Sequence, residues 1–179
     1  TKRTAERGKS SAREFATSTC VLNVLVRINK LIMTVLITGG AGFVGANVVR
    51  YMTESGRETV CFDRDAGDSD CLREWYFKDA SERIHEVEGD VSDPEDLREA
   101  VERYDVDRIV HAATITPTPE AERDQARTIL DVNLLGTANV LDAARDAGVD
   151  RVVYISSGAV YRNNSELEAI DEYDSLDLD

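Results

Sequence analysis

The chain has 179 residues, 42% of them apolar, enough for one domain with a sizeable core. No apolar run reaches the roughly 18 residues that span a bilayer, since Asn23, Arg27, Asn29 and Lys30 break the nearest candidate, Cys20 to Met33. Three cysteines, odd in number and without a C-x-x-C spacing, suggest neither a disulfide framework nor a zinc site, which points to a reducing, cytoplasmic setting, and the net charge of −14 argues against nucleic-acid and anionic-membrane partners.

Residues 1–33 differ in kind from the rest. They carry seven Lys/Arg against two Asp/Glu, whereas residues 34–179 carry fourteen against thirty-three. The leader is basic, Ser/Thr-rich and without periodicity. It reads either as a targeting peptide of the transit type or as residues upstream of a native start at Met33, disordered or not native. Beyond Met33 the one lysine is Lys78, so the acidic body uses arginine almost exclusively. That composition suits a protein adapted to high salt.

From Thr34 onward strand and helix patterns alternate. Thr34–Thr38 is a short apolar run ending in glycines, the signature of a buried parallel strand. Phe43–Glu54 spaces Val44, Val48, Val49 and Met52 as a helix, and Ser55-Gly56 stops it. Glu58–Asp63 is a second strand, residues 70–79 a short helix, and Ile84–Glu88 a third, alternating strand. Ser92-Asp93-Pro94-Glu95-Asp96 starts a helix, with a capping side chain, proline in the first turn and acids at the positive end of the dipole. Arg108–Ala113 is a fourth strand, preceding a Thr-Pro-Thr-Pro loop over 116–119. A long helix from about Asp124 to Ala147, closed by Gly148, and a fifth strand over Arg151–Ser156 complete the pattern. The segment 163–179 is an acidic tail. Such alternation implies an α/β fold, a doubly wound parallel sheet of order 3-2-1-4-5 with its ligand site at the carboxyl ends of the strands, where the order reverses. The domain is expected over 34–162.

The glycine triplet Gly39, Gly42 and Gly45 follows the first strand and opens the first helix, which is the context of a phosphate-binding loop. Gly39 permits the sharp turn, Gly42 lets backbone approach a pyrophosphate, and Gly45 lets the helix pack closely. The N–H groups of the first turn, from Phe43 and Val44 onward, face the phosphates. Asp63 ends the second strand eighteen residues after Gly45. A carboxylate there accepts from both hydroxyls of an adenosine ribose and repels a 2′-phosphate, which favours NAD over NADP; Arg64 beside it softens that preference.

The spacing G-x-x-G-x-x-G, preceded by Thr38, resembles the extended branch of the short-chain dehydrogenase/reductase superfamily, the NAD-dependent epimerase/dehydratase family. The resemblance runs from about Thr34 to Tyr161. It implies that Asp90 meets the adenine amino group and that Val91 packs on the ring. It implies that Ala112, Ala113 and Thr114, after His111, form the small-residue stretch beside the nicotinamide ribose and pyrophosphate. His111 itself reads as a buried strand histidine. Asn133, within Asn-Leu-Leu-Gly-Thr, matches the family asparagine that lies beside the cofactor and maintains a helix distortion and a water-linked proton path; its helix usually builds a homodimer interface. Ile155-Ser156-Ser157-Gly158-Ala159-Val160-Tyr161 resembles the Ser-Ser-x-x-x-Tyr stretch, with Ser156 at the cofactor and Ser157 as the catalytic hydroxyl. Arg162 stands where the family usually has glycine.

The family also needs a Tyr-x-x-x-Lys pair, in which lysine lowers the tyrosine pKa and tyrosinate acts as the base during hydride transfer. Four residues beyond Tyr51, Tyr76, Tyr104, Tyr154, Tyr161 and Tyr173 stand Ser55, Ala80, Arg108, Gly158, Ser165 and Asp177. The expectation is therefore the amino-terminal part of a larger oxidoreductase acting on a small molecule, a nucleotide sugar being the family's commonest substrate. The sheet is then cut before its last strands and the substrate domain. The alternative is a non-catalytic dinucleotide-binding or redox-sensing protein.

Overall fold

The computed structural model describes residues 33–66, 81–116 and 118–157. The expected leader, the helix over 70–79, Tyr161 and the acidic tail lie outside these residues. Five parallel strands are described: β1 (Thr34–Thr38), β2 (Glu58–Asp63), β3 (Ile84–Glu88), β4 (Arg108–His111) and β5 (Arg151–Tyr154), in the order β3-β2-β1-β4-β5. This is the expected Rossmann-type order, and β1 lies in register with β2 on one side and β4 on the other.

Side-chain alternation along β1 divides the core in two. Val35 and Ile37 join Cys61 and Val110 beneath the helix α1 (Phe43–Glu54), whose Val48, Val49 and Met52 cover that face. Leu36 points to the other face, with Val60, Phe62 and Ile109. There Leu97, Ala100 and Val101 of α2 (Pro94–Arg103) and Val140 and Ala144 of α5 (Gly136–Ala147) cover the sheet. The α2 start follows the sequence signals: Asp93 accepts from the Glu95 N–H at 2.9 Å and Pro94 opens the helix.

Three boundaries differ from expectation. The strand expected to reach Ala113 ends at His111, because β1 ends at Thr38 and offers no further ladder carbonyl; the last bond is Ala112 N–H to Thr38 O. The fifth strand likewise stops at Tyr154 rather than Ser156, its last link being Ile155 N–H to His111 O. The long helix begins earlier and is broken. Thr118 accepts from Ala121 N–H and Pro119 opens α3 (Pro119–Asp124). Gln125, at φ −127°, separates it from α4 (Ala126–Leu130), and a π turn over Asp131–Leu135 joins α4 to α5.

Candidate functional site

The glycine loop leaves β1 at the point where the chain order reverses. Gly39 has φ +66°, and a Cβ there would stand 2.7 Å from Ala113 N, so the first turn lies against the backbone after β4. A Cβ on Gly45 would drive into the Gly39 carbonyl oxygen; this glycine packs α1 against the turn itself. Within the loop, Gly40 N–H donates to Phe62 O, Gly42 N–H to Gly39 O, and Ala41 N–H to Asp63 Oδ2 at 3.0 Å. No side chain caps α1 at Gly42. The N–H groups of Phe43 and Val44 lie in the first turn, where a helix has no internal acceptor to offer. Both side chains are exposed.

Around this loop opens a cleft of about 130 Å³, lined by Gly39, Gly42, Asp63, Arg64, Asp90, Val91, Ala112, Ala113 and Thr114, all expected from sequence, and also by Phe62, Gly89, Ile115 and Val132. Phe62, Gly89 and Ile115 are chain neighbours of expected residues. Val132 enters through the π turn, which apolar periodicity does not reveal.

The walls are held by polar side chains. Asp63 takes Ala41 N–H on one carboxylate oxygen and Asp65 N–H on the other, at 3.0 and 3.2 Å. Each oxygen keeps lone-pair capacity for a further donor. Asp90 Oδ1 accepts from both the amide and the hydroxyl of Ser92, while Asp90 N–H donates to Asp96 Oδ2. Asn139, on α5, donates to the carbonyls of Val91 and Ser92 at 3.0 and 3.2 Å. Sequence reasoning assigned Asp96 only to the helix dipole and gave Asn139 no part.

Asn133 sits in the π turn, beside the cleft. Its Oδ1 accepts from Ile115 N–H at 2.8 Å and Thr114 Oγ1 at 3.2 Å, and its Nδ2 donates to Ile115 O at 2.9 Å. Ser156 and Ser157 follow β5, exposed and not among the residues lining the cleft. Beneath the loop, burial, helped by the charges of Asp63 and Glu86, pushes the Cys61 thiol up to about 12, so the thiol is inert. Burial also lowers the pKa of His111.

Residues 35–177 match the model of the NAD dependent epimerase/dehydratase family. The chain belongs to this family. It is 37% identical over 129 residues to sterol demethylase protein B of Methylococcus capsulatus, covering 72% of this chain and 36% of that protein. It is 38% identical over 136 residues to the low-salt glycan biosynthesis protein Agl12 of Haloferax volcanii, covering 72% and 41%. Among solved structures it resembles the UDP-glucose-4-epimerase of Stenotrophomonas maltophila, crystallised with NAD and formylated UDP-arabinopyranose. The TM-score is 0.70 at 26% identity, over 80% of this chain and 42% of that one. Bordetella bronchiseptica WbmG, crystallised with NAD and UDP, matches with a TM-score of 0.60 at 28% identity, over 71% and 38%. The chain thus spans about two-fifths of the length of these relatives. NAD is the cofactor of the family. Among the described residues no helix is long and apolar enough to cross a membrane.

Proposed function

We propose that this chain is the NAD-binding portion of an NAD-dependent oxidoreductase of the epimerase/dehydratase type, acting on a nucleotide sugar. The observation that carries this reading is the convergence of nine sequence-expected contact residues on one cleft at the switch point of the sheet.

The residues present fit a dinucleotide. Asp63 has one acceptor position left on each oxygen, which matches the two hydroxyls of an adenosine ribose. The same carboxylate opposes a 2′-phosphate. Asp90 keeps Oδ2 for an adenine amino group, and the Phe43 and Val44 amides, at the positive end of α1, meet a pyrophosphate. Gly42 clears its path, while Ala112 and Ala113 keep the floor free of bulk where the nicotinamide half would lie beside Thr114. Bound NAD supplies a hydride acceptor. Asn133 holds the Thr114–Ile115 wall. Ser156 and Ser157, at the same edge of the sheet, are assigned to the cofactor and to hydrogen bonding of the substrate oxygen that exchanges its proton.

Leu130, Leu134, Leu135 and Leu141 are all more than half exposed on α4, α5 and the π turn between them, which supports a homodimer in the full-length protein. The cysteine usage favours a cytoplasmic site, and the acidic, lysine-poor body favours a salt-rich one.

Calorimetric titration with NAD and NADP tests the reading. NAD binding with weaker NADP binding is expected, with no hydride transfer by these 179 residues, since no tyrosine in them is followed four places on by lysine. Absence of any NAD binding would overturn it.

A further inference from the structure

His111 is 1% exposed at the end of β4, and it stands between two hydroxyls. Thr38 Oγ1 is 2.6 Å from its Nδ1, and Thr137 Oγ1 is 3.0 Å from its Nε2. The directions of these bonds are fixed by their neighbours. Thr137 Oγ1 also lies 2.8 Å from the backbone oxygen of Asn133, which can only accept, so the single hydroxyl proton of Thr137 goes there. Thr137 must then accept from the ring, and Nε2 carries the imidazole proton. A neutral ring has no second proton, so Nδ1 accepts and Thr38 donates to it. Thr38 Oγ1 in turn accepts from Ala113 N–H at 3.3 Å. One directed chain therefore runs from Ala113 N–H through Thr38, His111 and Thr137 to the Asn133 carbonyl. The opposite tautomer would leave Nε2 facing a hydroxyl whose proton is already committed.

The two ends of this chain matter to the cleft. Ala113 lines it, and Asn133 clamps the next wall residues, Thr114 and Ile115. Asn133 also lies in the π turn, a helix irregularity that needs local support. A threonine bonding back to the carbonyl four residues earlier bends a helix, and Thr137 does so here under the direction of His111.

We infer that His111, held as the neutral Nε2–H tautomer, is a positioning residue that acts through Thr137 to fix the π turn and thereby the Asn133 clamp on the cleft wall. Only the ligand arm of its test rests on the NAD reading.

The test uses the isotope-labelled chain. A long-range proton–nitrogen spectrum at neutral pH is expected to show Nε2 protonated and Nδ1 bare. Thr137→Val keeps the shape of the side chain and removes the hydroxyl. It is expected to speed hydrogen exchange at Ile115 N–H and the Asn133 amide by about tenfold, while Thr137→Ser keeps both within about twofold and the β2 amides stay protected in each. NAD affinity falls about threefold to tenfold in Thr137→Val, with AMP affinity unchanged. An Nδ1–H or doubly protonated ring overturns the inference, and so does unaltered protection of Asn133 and Ile115 in Thr137→Val. If that variant does not fold, the tautomer in the unmutated chain decides alone. If the unmutated chain binds no NAD, the NAD reading fails while the tautomer and exchange results still judge this one.

Discussion

Asp63 serves the fold and the ligand at once, and two substitutions separate the roles. Its Oδ2 holds Ala41 N–H at 3.0 Å and its Oδ1 holds Asp65 N–H at 3.2 Å. Hydrogen bonds to a charged acceptor contribute about 1.5–3 kcal/mol each, and half-burial places these at the low end. Asp63→Ala removes both loop contacts and is expected to cost about 3 kcal/mol, or roughly 6–12 °C in Tm for a domain of this size. Asp63→Asn retains one amide oxygen for Ala41 N–H and loses the bond from Asp65 N–H, so about 1.5–2 kcal/mol is lost. Ligand binding responds differently. Either change removes the charge-assisted bonds to the ribose hydroxyls, and NAD affinity is expected to fall about tenfold to a hundredfold. Either also removes the repulsion against a 2′-phosphate, about 1–4 kcal/mol per unit charge at about 4 Å, so NADP affinity rises by about tenfold or more. Calorimetric titration of both dinucleotides against the three proteins, with melting curves alongside, reads all four quantities. An Asp63→Asn protein that still prefers NAD to NADP by the original ratio refutes the assignment of Asp63 to the ribose.

Gly45→Ala forces a methyl against the Gly39 carbonyl; overpacking of about 1–3 kcal/mol should lower Tm by several degrees and abolish NAD binding. The exposed turn residue Gly56, with open space around it, is the control: Gly56→Ala costs stability through its φ of +81° and leaves binding intact. Burial lowers the folded pKa of His111 from 6.5, and the ring meets the hydroxyls of Thr38 and Thr137 and the Tyr154 ring. The unfolded chain therefore binds the extra proton first. The stabilisation is present above about pH 6.5 and is lost as pH falls below it, with a slope of up to about 1.4 kcal/mol per pH unit. Denaturant titrations at pH 7.5 and 5.5 should show this loss diminished in His111→Gln, and an identical loss in both proteins contradicts it. Finally, the excess of acids over residues 34–179 predicts a Tm that rises with KCl, mostly below 1 M, where the Debye length has already shrunk to about 3 Å. A Tm indifferent to KCl sinks the high-salt reading.

The sequence carried β1, α1, β2 and β3 residue for residue, because each is bounded by its own punctuation: glycines after Thr38, Ser55-Gly56 after Glu54, and turn residues at either side of the strands. It did not carry the ends of β4 and β5. Those are set by the length of the neighbouring strand, which is information held elsewhere in the chain. The break at Gln125 and the π turn were hidden for a similar reason. Asn133, Gly136 and Thr137 are conspicuous as poor mid-helix residues, but only their partners reveal what they do: the Ile115 backbone, the Val91 side chain, and His111. The candidate site was legible wherever a short loop follows a strand. Asp96 and Asn139 were not, since each reaches the cleft from a helix surface whose side chains read as ordinary solvent-facing polar residues.

Those two residues explain how a cleft bounded mostly by loops keeps a shape. Three of the loops that border it are tied down by polar side chains from elsewhere: the glycine loop by Asp63 on Ala41, the loop after β3 by Asp96 on Asp90 and Asn139 on Val91 and Ser92, and the loop after β4 by Asn133 on Ile115. Each bond accepts or donates to main chain, so the tie holds whatever side chain the loop residue carries. The lining can therefore remain small, glycine and alanine at Gly39, Gly42, Gly89, Ala112 and Ala113, without collapsing inward. A floor of small residues leaves room for a flat ligand, and the ties supply the rigidity that the missing bulk would otherwise have given. Order arranged beforehand need not be imposed on binding, so affinity is retained that would be spent on ordering mobile loops. The fold thus separates the residues that shape the cleft from those that hold it open.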